Sequence, residues 1–278
     1  MILEKGGRRG GRAGERRPEG ARRKGASQLK TTHRDVARII REKGEAVAFT
    51  GAGISVESGI PAFRGGQGLW ERYDPMEYAH ISAFMRNPAK VWTMLREMGD
   101  VILRSTPSPA HMALGGLEKA GLLRAVVTQN VDGLHQLAGN TNVIEYHGSH
   151  RRTICVGCGR TGAFTEESMR TMPYPVCERC QEALKPDVVF FGEQIPSSAM
   201  LRAGHEALAC RVLIIVGTSG VVYPAAEIPF AAKANGATVI EINVEPTPYT
   251  DAVTDHFLQG SASEILPAIL DELGFARA

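Results

Sequence analysis

The chain has 278 residues, 43% hydrophobic and 22% charged, enough for one large domain or one large and one small. Its longest apolar runs, Val212–Val216 and Val188–Phe191, are far too short to cross a bilayer, and no apolar stretch of a secretory signal follows the basic first residues. The net charge of +2 is uneven: residues 1–30 hold ten Lys and Arg against three Asp and Glu, so the remainder is net acidic.

Residues 1–27, rich in Gly and Arg, lack the apolar content to fold and are expected to form a disordered basic tail. Such a tail could make weak contact with nucleic acid or an acidic partner, and its plainest reading is a solvated extension. From Thr32 the sequence alternates between helices and strands. Val36, Ile39 and Ile40 mark one face of a helix over His33–Lys43, which Gly44 stops. A buried strand, Ala46–Thr50, ends at Gly51, and a helix is predicted over about Pro88–Leu103. Further strands are predicted at Ala125–Thr128, Val143–Tyr146, Val212–Val216 and Thr238–Ile242, with a helix at Ala225–Asn235. Unbroken apolar strands separated by helices indicate a parallel sheet covered on both faces. The fold class is α/β: a Rossmann-like doubly wound parallel sheet with a small inserted zinc-binding domain. The catalytic domain is expected over 28–278, interrupted by a zinc module at 151–186 and a helical, cofactor-loop insertion at about 56–105.

Five cysteines are present, and an odd count without a signal peptide argues for a reducing compartment, here the cytoplasm, with no membrane association. Four are spaced Cys155-x2-Cys158, eighteen residues, then Cys177-x2-Cys180. Each pair offers two thiolates to a common point, and two pairs complete a tetrahedral site for one structural Zn2+ with no place for a water. Gly157 and Gly159 permit the first tight turn. Cys210, just before an apolar run, reads as a small core residue.

Gly51-Ala52-Gly53-Ile54-Ser55 follows the first strand. Glycines there let backbone N–H groups approach a pyrophosphate, with a following helix N-terminus adding positive potential. The third glycine of the usual dinucleotide fingerprint is replaced by Val56, and no acidic residue lies where a dehydrogenase would hold its ribose, so hydride transfer is disfavoured. Gly217-Thr218-Ser219 and Asn243-Val244-Glu245 end later strands, where they could meet phosphate or ribose.

Beyond these turns, Gly59-Ile60-Pro61 with Phe63-Arg64-Gly65, Gln129-Asn130-Val131-Asp132, His147-Gly148 and Phe190-Phe191-Gly192-Glu193 occur in an order that resembles the sirtuins, the NAD-dependent protein deacylases. The resemblance runs from about Thr32 to Leu273. It implies that NAD is a co-substrate, that acetyl-lysine proteins are the partners, and that the acyl oxygen attacks ribose C1′ as nicotinamide leaves. The resulting alkylimidate then collapses through a ribose hydroxyl.

By the same resemblance, His147 is the general base and Asn130 positions a water or ribose, while Asp132 binds the nicotinamide carboxamide. Phe63 shields C1′ and Arg64 neutralises phosphate or holds the loop. Gly51, Ala52, Gly53, Ser55, Gln129, Val131, Gly217, Thr218, Ser219, Asn243, Val244, Glu245 and Ala262 complete the NAD site. Val189, Phe191, Gly192 and Val222 would bind the acyl-lysine peptide as an added strand. Phe190 should point away from Phe191, and His135 and His150 fit the base role less well. Succinyl-preferring members carry Tyr-x-x-Arg on the helix after the cofactor loop. Here Leu95 and Met98 occupy those positions, with Arg96 adjacent, which implies acetyl and longer apolar acyl groups over succinyl. The competing readings are a mono-ADP-ribosyltransferase and, in another class, a zinc-ribbon protein that binds nucleic acid through the tail. Glu166, Glu167, Glu178 and Glu182 make the ribbon a poor polyanion surface.

Overall fold

The computed structural model describes residues 31–63 and 68–275; the expected tail at 1–27 and Arg64 lie outside the described residues. Among the described residues nine strands occur in chain order: β1 (Ala46–Thr50), β2 (Leu123–Thr128), β3 (Val143–Glu145), β4 (Gly148–Cys155), β5 (Thr161–Ala163), β6 (Leu184–Val188), β7 (Val212–Val216), β8 (Thr238–Asn243) and β9 (His256–Gln259). Six of them form a wholly parallel sheet in the order β3-β2-β1-β7-β8-β9. The chain winds outward from β1 to β3, then returns to the other side of β1 and winds outward again. The reversal between β1 and β7 opens a crevice at their carboxyl ends, where open α/β sheets take ligands.

Every residue of β1 and β7 is buried, as their unbroken apolar runs require. Ala46, Ala48, Ile214 and Val216 face helices His33–Lys43, Pro109–Lys119 and Ala262–Glu272. Val47, Phe49, Leu213 and Ile215 face the opposite layer, Ser197–Ala209 and Ile228–Ala234. The first helix starts at a capping box: the Thr32 hydroxyl accepts the Asp35 N–H (3.3 Å) while the Asp35 carboxylate accepts the Thr32 N–H (3.0 Å). Gly44 stops it with φ +60°.

The predicted helix at Ala225–Asn235 divides into a single 3-10 turn, Ala225–Glu227, and a helix proper at Ile228–Ala234. Pro229 explains the division, because a proline without an N–H belongs in a first turn.

β4, β5 and β6 form a separate antiparallel sheet in the order β5-β4-β6, with a register shift between Ser149 and Thr153 of β4. It shares an apolar cluster with the long helix Pro88–Arg104. Trp92 of that helix is fully buried, donates its indole N–H to the Leu184 carbonyl (3.0 Å) and stacks on Phe164 at 6.2 Å. The cysteine-bearing sheet and the helical insertion therefore share one small core.

Candidate active site

At the crevice, the turns after β1 and β7 interlock. A Cβ on Gly53 would lie 2.7 Å from the Gly217 Cα, and one on Gly51 would lie 2.7 Å from the Thr218 Cβ. The Gly53 N–H donates to the Gly217 carbonyl (2.8 Å), and Gly217 has φ +57°. The glycines thus first allow two backbones to touch. The adjoining segment, Ala52–Ser58, is a 3-10 helix rather than an α-helix, so the dipole expected from it is weaker. The N-terminus of the Ala262–Glu272 helix stands beside it: the capping Ser261 hydroxyl donates to the Glu57 carboxylate.

A buried polar network fills the base of the crevice. The Asn130 side-chain amide donates to the Gly51 carbonyl and the Ser55 hydroxyl, each at 3.1 Å. Ser55 in turn donates to Asp132 (2.8 Å), whose other carboxylate oxygen accepts the Leu134 N–H (2.9 Å). Burial raises the Asp132 pKa above the usual carboxylate value, against the lowering by these two donors. Thr128 anchors the network from β2. Its hydroxyl accepts the Asn130 N–H (3.1 Å) and the Thr50 hydroxyl (2.9 Å), and Thr50 also meets His135 Nε2 at 2.9 Å. His135 is therefore joined to Asn130 through two threonines.

Sequence reasoning missed Ser108 and His111 on the helix Pro109–Lys119. Ser108 N–H donates to His111 Nδ1 (3.2 Å), which places the proton of the neutral ring on Nε2, 3.5 Å from the Ser55 hydroxyl. Burial pushes His111 down to about 4, and its ring packs edge-on to His135 at 4.7 Å. The available signal was Ser108-Pro109-x-His111, a cap that closes back on itself.

The rim of the crevice is tied across strand ends. Gln129 donates to the Thr218 hydroxyl (2.8 Å) and Asn243 to the Thr218 carbonyl (3.0 Å), linking β2, β7 and β8. Ala52 and Ala262 are half-buried, while Ser219, Val244 and Glu245 are exposed around the opening. Val131 is half-buried, and its carbonyl accepts the His150 N–H (2.9 Å).

His147 follows β3 directly. Its Nδ1 lies 3.1 Å from the Gln129 carbonyl, so Nδ1 carries the proton and Nε2 is left as the basic nitrogen. Burial lowers its pKa, only partly offset by that carbonyl. The His147 carbonyl accepts the Val189 N–H (2.8 Å), continuing the β4–β6 ladder to its end. Beyond Val189, Phe190 turns inward (5% exposed) and Phe191 outward (38%), as alternation requires. Phe191 pairs through its N–H with Ala79 (2.9 Å) and through its carbonyl with Ile81 (3.0 Å), and Gly192 sits at φ +84° against His80. Val222, in the loop after β7, is half-buried. Phe63 stacks on Trp70 at 5.2 Å, and Trp70 lies 6.3 Å from Phe191.

On the long helix, Leu95 is buried and Met98 half-buried in the same apolar cluster as Phe63 and Phe190. Arg96 points elsewhere: its guanidinium donates to the carbonyls of Met169 (2.8 Å), Thr171 (2.7 Å) and Pro173 (2.6 Å).

The four cysteines converge, with Sγ atoms all within 4.8 Å of one another, Cys155 to Cys180 at 3.3 Å and Cys158 to Cys177 at 3.7 Å. Four thiolates at Zn–S bond lengths of about 2.3 Å have tetrahedral edges of roughly 3.8 Å, so the donor set fits one zinc ion. The knuckles match: the N–H of Gly159 returns to the Cys155 carbonyl and that of Gln181 to the Cys177 carbonyl, with φ +68° and +63°. Cys210 stays apart, buried with its thiol pushed up to about 11. A cavity of about 790 Å³ lies away from the dinucleotide crevice, between β4, β6 and the helix Ser197–Ala209, and borders the site at Val189 and Glu193.

Residues 51–224 match the profile described as the Sir2 family. A similar relative, NAD-dependent protein deacylase 2 of Pyrobaculum aerophilum, is 49% identical over 86% of this chain and 95% of its own length. A solved Sir2 homolog–NAD complex is 40% identical, with a TM-score of 0.82 over 88% of this chain and 95% of that one. A Sir2 structure with a deacetylated p53 peptide and 3'-O-acetyl ADP-ribose is 32% identical, with a TM-score of 0.83 over 88% of this chain and 100% of that one.

Proposed function

The chain belongs to the Sir2 family, and from that premise we propose how its residues carry out NAD-dependent deacylation of protein lysines. NAD supplies an activated ribose carbon, to which the acyl group passes as nicotinamide leaves. The observation that carries the assignment of roles is His147, oriented by the Gln129 carbonyl so that Nε2 is the proton acceptor, at the junction of the crevice and the Val189–Gly192 segment.

Asn130 and Asp132 form the nicotinamide end of the site, fixed by Ser55 and Thr128. The interlocked turns at Gly51, Ala52, Gly53, Gly217, Thr218 and Ser219, with Arg64 and Ala262, hold the phosphates. Asn243, Val244 and Glu245 take the far ribose. Gln129 and Val131 line the floor, and Phe63 excludes water from the reacting carbon. The acyl-lysine peptide lies along Val189, Phe191 and Gly192 on one side and Val222 on the other.

Leu95 and Met98 provide an apolar tunnel end, and Arg96, spent on backbone carbonyls, offers a carboxylated acyl group no counter-charge. Acetyl and longer apolar groups are therefore preferred over succinyl. Zinc held by Cys155, Cys158, Cys177 and Cys180 closes the module structurally. The catalytic unit runs over 28–278, with the module at 151–186 and the helical insertion at about 56–105. No helix among the described residues is long and apolar enough to cross a membrane. None of the five cysteines is in a disulfide, which fits a cytoplasmic protein.

The test is nicotinamide release from NAD with an acetyl-lysine peptide, for wild type and His147→Ala. Release should require peptide, match deacetylation, and fall about 10²–10⁴-fold in the variant. Peptide-independent release by the wild type would instead indicate a glycohydrolase or ADP-ribosyltransferase. The acidic limb of kcat/KM should lie below pH 6.5, the ordinary histidine value, because burial holds His147 neutral.

A further inference from the structure

Lys185 is nearly fully buried on β6, an unusual place for a lysine. Its Nζ lies 3.0 Å from Glu193 Oε2, donates to the Val188 carbonyl (2.7 Å), and sits 4.8 Å from the centre of the Phe190 ring. The same Glu193 oxygen accepts the Phe190 N–H (2.8 Å), and the Glu193 N–H returns to the Phe190 carbonyl (3.0 Å). The turn from Phe190 to Glu193 is thus closed twice, by its main chain and by a carboxylate that a buried ammonium holds. Phe190 is pinned inward against Phe84 at 5.9 Å, which turns Phe191 outward.

The pairing of this segment is nearly used up. Val189 N–H goes to His147, and both backbone groups of Phe191 go to the strip at Ala79–Ile81. Among the described residues nothing pairs with the Val189 carbonyl or with the backbone groups of Gly192, which leaves them for an incoming strand.

A buried ion pair is a poor stabiliser, since two apolar residues of similar volume commonly serve stability as well, yet it fixes geometry more narrowly. We propose that Lys185, acting through Glu193, is a positioning residue for the acyl-peptide: the ion pair holds the Phe190–Glu193 turn in the register that presents Val189 and Gly192 to the substrate backbone. This rests on the reading that the Val189–Gly192 segment binds the peptide.

The test uses the zinc-loaded full chain. Lys185→Met/Glu193→Leu removes both charges and should keep the wild-type melting temperature. Its KM for an acetyl-lysine peptide should rise about tenfold, with KM for NAD and kcat within twofold. Glu193→Gln keeps an acceptor for the Phe190 N–H and removes only the charge; it should raise peptide KM about threefold, and it decides the matter if the double variant does not fold. Lys185→Arg, which keeps the charge, should hold peptide KM within twofold of wild type. Amide exchange at Gly192 separates the two claims. If peptide does not slow it in the wild type, the binding reading fails; if peptide slows it equally in wild type and charge-free variants with unchanged peptide KM, the positioning role alone fails.

Discussion

The two sheets of this molecule are held by different means. β1 and β7 are buried from end to end between two layers of helices, whereas every residue of β5 is exposed and β4 is buried only in part. A side chain such as Phe49 or Leu213, fully buried, stabilises the parallel sheet by about 1.5–3 kcal/mol. The antiparallel sheet has few such residues: it shares one small core with the helix Pro88–Arg104, and the four cysteines gather at its far tip. The parallel sheet gathers Ser55, Asn130, Asp132, His111 and His135 buried at its ends, whereas the antiparallel sheet buries Ser149, His150, Thr153 and Lys185 along its strands and is expected to need zinc at its four cysteines to keep its shape.

Removing zinc attacks the weaker side directly. Cys177→Ser, or chelation of the wild type, should unfold residues 148–188 and abolish deacylation, because structural zinc contributes on the order of 10 kcal/mol. Hydrogen exchange should show β4–β6 opening while β1 and β7 stay protected. Equal opening of both sheets would erase the distinction.

Acid should act on both sides, through His111 and His135 beside the parallel sheet and His150 on β4. Burial pushes His111 and His150 down to about 4, and His135 also well below its ordinary value. Between pH 6.5 and 4 the unfolded chain binds more protons than the folded one, so stability falls as pH falls, by up to about 3 kcal/mol for each of His111 and His150. Below about pH 4 their contribution should level off. Thermal melts from pH 7.5 to 4 check this, and a flat melting temperature across that window would contradict it.

Two glycine substitutions refine the comparison further. Gly53→Ala forces a Cβ to 2.7 Å from the Gly217 backbone and should cost about 1–3 kcal/mol and raise KM for NAD. Gly159→Ala meets open space and only a left-handed φ, so it should cost about 1 kcal/mol and leave KM for NAD unchanged. Melting curves and NAD titrations of the two proteins measure both effects.

The zinc site was legible because its ligands lie in two short, local patterns whose spacing alone closes a tetrahedron. The central strands were legible because burial on both faces forces unbroken apolar runs. Thr50 and Thr128 were not, because they meet only when the ends of β1 and β2 converge, and Ser108 with His111 left only a local capping pattern that marks a helix start. The place of His135 was hidden for the same reason. Its partner Thr50 is eighty-five residues away. Lys185 gave no warning either, since its partner lies across a turn and a lone lysine beside a proline reads as solvated.

The β4–β6 ribbon has zinc ligation at one tip and His147 with Val189 at the other. On β6 the path from Leu184, opposite Cys155, to Val189, opposite His147, spans roughly 17 Å at the usual rise, the extra residues of β4 being taken up at its register shift. The cysteine cluster and the proposed seat of the reaction are thus two ends of a single beam. Cobalt in place of zinc would make that beam visible: its ligand-field spectrum would read, from the far tip, whether an occupied peptide cleft bends the near one.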